Sequence, residues 1–300
     1  MGAAATFQQL FRGALSRQVE YSYSDDEHRF SSMIPLSASQ LPDLQVLAAE
    51  IPFAGDWAWS VRRFAQAVRP DAFLLRLDWE GNTASALTLY CRFPGEPDEA
   101  AFRAALAHAR PFDWNGPGPD DLARALGVNG PRGIAFRSSG KGMNNTALYF
   151  KSGEHAGRAL GERMPALLAA CGYPAELQSL LEKDLHALYR PGPVGVIGVD
   201  DGQEGQARAL KFDPANVALD IAFDFLARAQ VPAQRIDALR RSARDLRADA
   251  ASYLSAQYGP DGLRGWRIYF ACEPCSTSAP GRPLIDTQRN LRELRRLPHY

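Results

Sequence analysis

The sequence predicts an α/β chain, α+β by class, built from repeated units of two antiparallel strands followed by a helix. Three observations predict it. The first is recurrence. Arg132 to Pro174 reads RGIAFRSSGKGMNNTALYFKSGEHAGRALGERMPALLAACGYP. A short apolar run meets a Gly- and Asn-rich turn, and a second β-type run follows. Leu160, Met164, Leu167 and Leu168 then recur at helical spacing. Ala72 to Ala107 and Val194 to Gln230 repeat this grammar, and Trp266 to Ala271 is the clear strand of a further copy. The second observation is a shared apolar face. Side chains alternate along a strand, so Leu89, Leu148, Leu210 and Ile268 of the second strands fall on one side, suited to packing under helices. The third is the opposite face, which carries Tyr90, Tyr149, Lys211 and Tyr269, with Arg92, Lys151 and Arg267 at the same parity. Arg76 and Arg137 take matching places in the first strands. A plain core would not hold these cations, because burying charge without a partner is costly. Two architectures satisfy the pattern: an open two-layer sheet with this face in water, or a closed antiparallel β-barrel lined by it and wrapped by helices.

The remaining elements fit around these units. Residues 1 to 18 read as helical through Phe7, Leu10, Phe11 and Leu15, and Val19 to Tyr23 alternates as a strand. After the acidic turn Asp25-Asp26-Glu27, Arg29 to Leu36 returns as a partner strand, making a degraded first copy with Glu20 opposite in parity to Val19 and Tyr21. Leu41 to Glu50 and Trp57 to Val68 are helices; Trp57, Val61, Phe64 and Val68 form an apolar stripe. A helix begins near Pro97, Asp113 to Gly118 is a loop, and Asp120 to Leu126 is a brief helix ended by Gly127. Leu177 to Tyr189 is helical, and Arg190-Pro191-Gly192-Pro193 breaks it. Gly195 and Gly198 weaken the strand they sit in but admit a close neighbour. Arg235 to Tyr258 reads as one long Arg-rich helix, and a basic tail closes the chain. This gives eight or nine strands, with no partner for Trp266 to Ala271, and a single domain over residues 1–300.

Composition and motifs exclude several classes. With 34 basic and 34 acidic residues the net charge is zero, which argues against bulk binding of nucleic acid. No apolar run approaches the roughly 18 residues of a membrane span. The N-terminus lacks the features of a secretion signal, so a cytoplasmic monomer is expected. Met1 to Thr6 fits the short myristoylation pattern only formally. Cys272-Glu273-Pro274-Cys275 has no second Cys or His pair to complete a zinc site and opens no helix, so these read as incidental thiols. GxGxxG, HExxH and GxSxG are absent, and the five histidines are scattered. Lys141 in SSGKGMNN lies in a hairpin turn, not at a strand-to-helix phosphate loop.

A lumen of tyrosines and cations suits a ligand that is anionic at one end and becomes cationic at the other. Lys and Arg hold diphosphate by charge-assisted hydrogen bonds. Tyrosine faces attract cations by about 0.5–2 kcal/mol each. An allylic diphosphate, whose C–O bond breaks to an allyl cation and diphosphate, uses both, and charges aimed at developing charge are a large catalytic term.

The repeated units, with NTALYF, ARALKF and WRIYF as second strands, resemble the soluble prenyltransferases of the ABBA or PT-barrel fold. Both the aromatic branch and the cyanobactin-type peptide branch share this rhythm, over about residues 70 to 273. The resemblance implies the closed barrel, and transfer of a dimethylallyl or geranyl group to an electron-rich aromatic or a peptide side chain. It implies that Arg76, Arg137, Lys211 and Arg267 hold diphosphate and that Tyr90, Tyr149 and Tyr269 shield the carbocation. Glu20 and Asp78, at strand ends, are the candidate acceptor bases and read as solvated carboxylates. Some relatives hold magnesium on an acidic residue of an early strand; Thr88 occupies the comparable position, so the sequence does not require the ion. The alternative is a barrel that binds a small hydrophobic or anionic ligand without chemistry.

Overall fold

Ten antiparallel strands close on themselves in the computed structural model, which describes residues 2–15, 19–25, 29–80, 83–93, 114–140, 144–151, 156–188, 195–202 and 205–272. The strands are β1 (Val19–Ser24), β2 (Arg29–Leu36), β3 (Ala72–Glu80), β4 (Thr83–Arg92), β5 (Gly133–Ser139), β6 (Asn144–Lys151), β7 (Gly195–Asp200), β8 (Ala209–Ala218), β9 (Ala250–Gly259) and β10 (Gly262–Cys272). Each pairs with its sequence neighbour, and β1 pairs with β10 to seal the ring. Closure leaves no edge strand with unpaired backbone groups. The barrel, and not the open sheet, is therefore the architecture.

Alternation decides which side chains go where. Leu89, Leu148, Leu210 and Ile268 are all 0 % exposed and belong to the apolar layer between the barrel wall and the helices. Phe136, Phe150, Phe212 and Phe270 join them. The helices are α1 (Ala3–Leu10), α2 (Arg12–Leu15), α3 (Asp43–Ala49), α4 (Gly55–Val68), α5 (Pro119–Leu126), α6 (Ala156–Ala170), α7 (Gln178–Leu188), α8 (Leu219–Arg228) and α9 (Ala233–Asp245). The stripe expected on α4 seats it: Trp57, Val61 and Phe64 are buried, and the Trp57 indole donates to the Phe136 carbonyl at 3.0 Å. Gly127 ends α5 at φ +64, the left-handed conformation that glycine takes without a Cβ clash.

Two expectations need correction. The strand count is ten, and the long helix expected to reach Tyr258 stops at Asp245. Arg247 takes a left-handed φ of +53 just past the helix end, which breaks its run. Ala250–Gly259 then forms β9, the partner of β10 that periodicity alone did not supply. The helix expected near Pro97, the Lys141 turn, Cys275 and the basic tail lie outside the described residues. Among the described residues no helix is long and apolar enough to cross a membrane.

Candidate active site

Tyr90, Tyr149, Lys211 and Tyr269, far apart in the chain, line one cavity inside the barrel. Arg76 lines it too, as do Met33, Leu74 and Val196, which form its apolar part. Tyr253, Ser255 and Gln257 come from β9, and Asp213 from β8.

Arg76 ties the polar lining together. Its guanidinium donates to the Tyr90 hydroxyl at 2.6 Å, the Tyr269 hydroxyl at 3.3 Å and the Thr88 hydroxyl at 3.2 Å. It also lies 5.7 Å from the centre of the Tyr90 ring, within cation–π range. The tyrosines form two pairs. Tyr90 and Tyr149 have centroids 5.7 Å apart, and Tyr253 meets Tyr269 edge-on at 6.2 Å. Burial pushes all four phenols above their ordinary pKa. They are neutral at physiological pH and present hydroxyl donors and π faces to the cavity.

The pairing register sets Arg76 and Arg137 on either side of Thr88, at one level of the wall. Asp78 gathers the cations at that end. Arg76 Nε lies 3.1 Å from its carboxylate, Arg137 Nη2 3.0 Å and Arg267 Nη1 3.7 Å, and the Ser31 hydroxyl donates at 2.6 Å. Arg267 also donates to the Ser22 hydroxyl at 3.2 Å and to that of Ser31. Burial alone would raise the Asp78 pKa; Arg76, Arg267 and Arg137 more than reverse this and hold the carboxyl well below its usual range. Burial likewise lowers the pKa of Arg76, but Asp78 and the phenols carry it well above the ordinary value. For Arg137, burial with Arg76 and Arg267 nearby wins over Asp78, and its pKa falls. Arg76 and Lys211 line the cavity itself, whereas Arg137 and Arg267 cluster at Asp78.

Neither expected base is a solvated strand-end carboxylate: Glu20 is 4 % exposed and Asp78 2 %. The reason is closure, which turns the Glu20 and Asp78 faces of β1 and β3 inward. Asp78, held ionised by three guanidiniums, is a poor proton acceptor. Glu20 is the reverse case. Both its oxygens lack a hydrogen-bond partner among the described residues, and burial pushes its pKa up to about 7, with Ser252 pulling the other way. It sits level with Met33 and Ala271 and does not line the cavity.

Lys211 forms an ion pair with Asp200. Sequence reasoning missed both Asp200 and Asp213. Asp200 reads as turn in VDDG, but Asp213 stands two residues past Lys211 and so shares its face, a signal that was present. Tyr253, Ser255 and Gln257 were hidden by the helix assigned across them. Gly198 is accounted for: a Cβ there would stand 2.9 Å from the Tyr149 ring and 3.3 Å from Lys211 Cβ.

For magnesium, the donor set does not fit a resident ion. The Thr88 hydroxyl accepts from Arg76, and among the described residues no three His, Cys, Asp or Glu side chains converge to hold a metal.

No family model and no curated protein matches the sequence. Solved structures do match by fold. The 5-dimethylallyltryptophan synthase from Streptomyces coelicolor is 13 % identical, with 92 % of this chain and 93 % of that one covered at a TM-score of 0.62. The prenyltransferase PriB, in its ternary complex with L-tryptophan and dimethylallyl thiolodiphosphate, is 13 % identical over 89 % of this chain and 83 % of that one, at 0.59. The 6-dimethylallyltryptophan synthase from Micromonospora olivasterospora, solved with DMASPP and Trp, is 12 % identical over 88 % and 84 %, at 0.57. The cyanobactin-type branch is not singled out by these likenesses. By its closed ten-stranded barrel, this chain has the PT-barrel fold of the ABBA-type aromatic prenyltransferases.

Proposed function

We propose that the protein is a prenyltransferase that moves an allylic isoprenoid, dimethylallyl or geranyl, from its diphosphate to an electron-rich aromatic acceptor. The observation that carries this reading is the cavity itself, where Arg76 and Lys211 share one lining with four tyrosines. Arg76 and Lys211 hold the diphosphate, with Arg137 and Arg267 adding positive potential from behind. As the C–O bond stretches, the electron pair leaves with the diphosphate and positive charge grows on the allyl group. Tyr90, Tyr149 and Tyr269, joined by Tyr253, then present ring faces to that charge and keep water out. Lys211 exchanges its Asp200 pairing for the diphosphate oxygens as the donor binds.

Two dimethylallyltryptophan synthases of this fold are solved with tryptophan, which favours an indole over a peptide side chain as acceptor. Glu20, buried and with its pKa pushed up to about 7, lies off the cavity lining and is given no contact with the acceptor. Asp78 serves as a counter-ion and not as a base.

The test is incubation with dimethylallyl or geranyl diphosphate and a panel of tryptophan, indoles, phenols and short peptides, with and without magnesium. Mass spectrometry should find one prenyl unit added to an aromatic acceptor. Arg76→Ala and Lys211→Ala should each weaken donor binding by about 10- to 100-fold, the cost of a lost charge-assisted hydrogen bond. Tight donor binding with no product on any acceptor would replace the enzyme with a ligand-binding barrel. Unchanged binding in both variants would remove the site assignment.

A further inference from the structure

Forming a carbon–carbon bond to an aromatic ring leaves the ring as a cation until a ring proton departs. Something in the cavity must take that proton. The cavity lining offers few choices. The four phenols are neutral donors because burial raises their pKa. Arg76 is a permanent cation, Lys211 is an ammonium paired with Asp200, and Ser255 and Gln257 are too weakly basic. Asp213 is the one carboxyl lining the cavity among the described residues. Its Oδ1 is buried and has no hydrogen-bond partner there. Asp78, by contrast, is saturated by three guanidiniums and the Ser31 hydroxyl, and Glu20 lies off the lining.

We propose that Asp213 is the catalytic base that restores aromaticity, a role that rests on the prenyl-transfer reading. The step balances. The ring's π electrons form the new bond to the allylic carbon, and diphosphate leaves with the C–O pair. The C–H pair then returns to the ring, and its proton passes to Asp213 Oδ1, giving a neutral carboxylic acid. Burial pushes the Asp213 pKa up to about 6, against the lowering pull of Ser255, Lys211 and Arg76; Asp200 pushes it further up. The remaining groups whose charge couples to it are Tyr149, Tyr253 and Tyr269. The carboxylate is therefore ionised at neutral pH yet close enough to it to hold a proton briefly, the match a general base needs. Lys211, two residues away on β8, is bound to the departing diphosphate and hands the proton to no one; Asp213 reloads by losing it to solvent when product leaves.

The test compares wild type with Asp213→Asn, using dimethylallyl diphosphate and tryptophan with hydrogen or deuterium on the indole ring. In wild type, ring deuterium should have no effect on the rate, with bond cleavage and carbon–carbon bond formation setting it. In Asp213→Asn, kcat should fall by about 100-fold or more, donor Kd should stay near wild type, and a normal primary isotope effect should appear. A kcat near wild type, or a fall without an isotope effect, overturns the assignment while leaving prenyl transfer standing. Should the asparagine variant fail to fold, Asp213→Glu carries the same comparison: a lower kcat with an isotope effect supports the base, and wild-type kcat without one rejects it. No turnover by the wild type on any aromatic acceptor fails the underlying reading instead, and this inference with it.

Discussion

Two poles of the lumen use the same residue types in opposite ratio. At one pole a single carboxylate, Asp78, meets Arg76, Arg137 and Arg267. At the other a single ammonium, Lys211, stands with Asp200 and Asp213. The ratio matters because burial penalises whichever charge lacks a partner. The arginine pole keeps its carboxylate ionised and its excess charge positive, so an incoming anion is what it lacks. The lysine pole has two carboxyls for one ammonium, and burial drives one of them, Asp213, toward its neutral form. The arginine pole is set up to receive an anion, which Lys211 helps to hold, and Asp213 beside that lysine is set up to receive a proton; the tyrosines line the same cavity.

The harshest way to break this contrast is Asp78→Asn. It keeps the shape and removes the charge, leaving three guanidiniums with no counter-ion in a site where Asp78 is 2 % exposed. Breaking a buried pair from one side costs about 3–5 kcal/mol. The urea midpoint at pH 7 should fall accordingly, and added pyrophosphate should recover part of the loss by binding the folded state. A loss below about 1 kcal/mol would mean that the cluster is solvated, as surface pairs are.

The buried carboxyls of the lumen wall should also titrate in opposite senses. Asp78 has a folded pKa below the ordinary aspartate value of 3.8, so its contribution is complete above that value and is lost as pH falls. Glu20 has its pKa raised from 4.5 to about 7, so its contribution is complete below about 4.5 and is lost as pH rises through 7. Asp213 behaves like Glu20, with its loss centred near pH 6. Glu20→Gln removes the charge that burial disfavours. It should equal wild type in stability near pH 4. At pH 9 it should exceed wild type by about 3 kcal/mol, because each tenfold change in proton affinity is worth about 1.36 kcal/mol. Equal denaturation midpoints at both pH values would show that Glu20 is not desolvated.

Much of this was legible in the sequence because a strand's period of two is a local property. It placed Tyr90, Tyr149, Lys211 and Tyr269 on one face and Leu89, Leu148, Leu210 and Ile268 on the other, wherever the strands later went. Closure was not local. It depends on β1 meeting β10, some 250 residues apart in the chain, and periodicity carries no information about that pairing. For the same reason Glu20 and Asp78 read as solvated ends, when closure buries them. β9 was lost for a different reason. The Arg-rich helical pattern of α9 runs into ASYLSAQYG, and the break rests on a left-handed Arg247, a residue that gives no turn signal. With β9 went Tyr253, Ser255 and Gln257.

The smallest test bears on the boundary between the poles. Gly198 of β7 pairs with Tyr149 on one side and Lys211 on the other. Glycine in a strand usually costs stability, and adding a methyl group where the backbone tolerates it returns about 0.4–1 kcal/mol. Here the methyl carbon would stand 2.9 Å from the Tyr149 ring, which is stiff and already packed 5.7 Å from Tyr90. Overpacking of that kind costs about 1–3 kcal/mol, which exceeds the gain. Gly198→Ala should therefore lose about 1 kcal/mol in urea denaturation and move the Tyr149 ring away from β7. Because Lys211 Cβ would be only 3.3 Å away, the lysine shifts as well, and donor binding should weaken by a few-fold. A variant as stable as wild type, with unchanged donor affinity, would show that Tyr149 does not rest on Gly198 and that the two poles are not spaced by this contact.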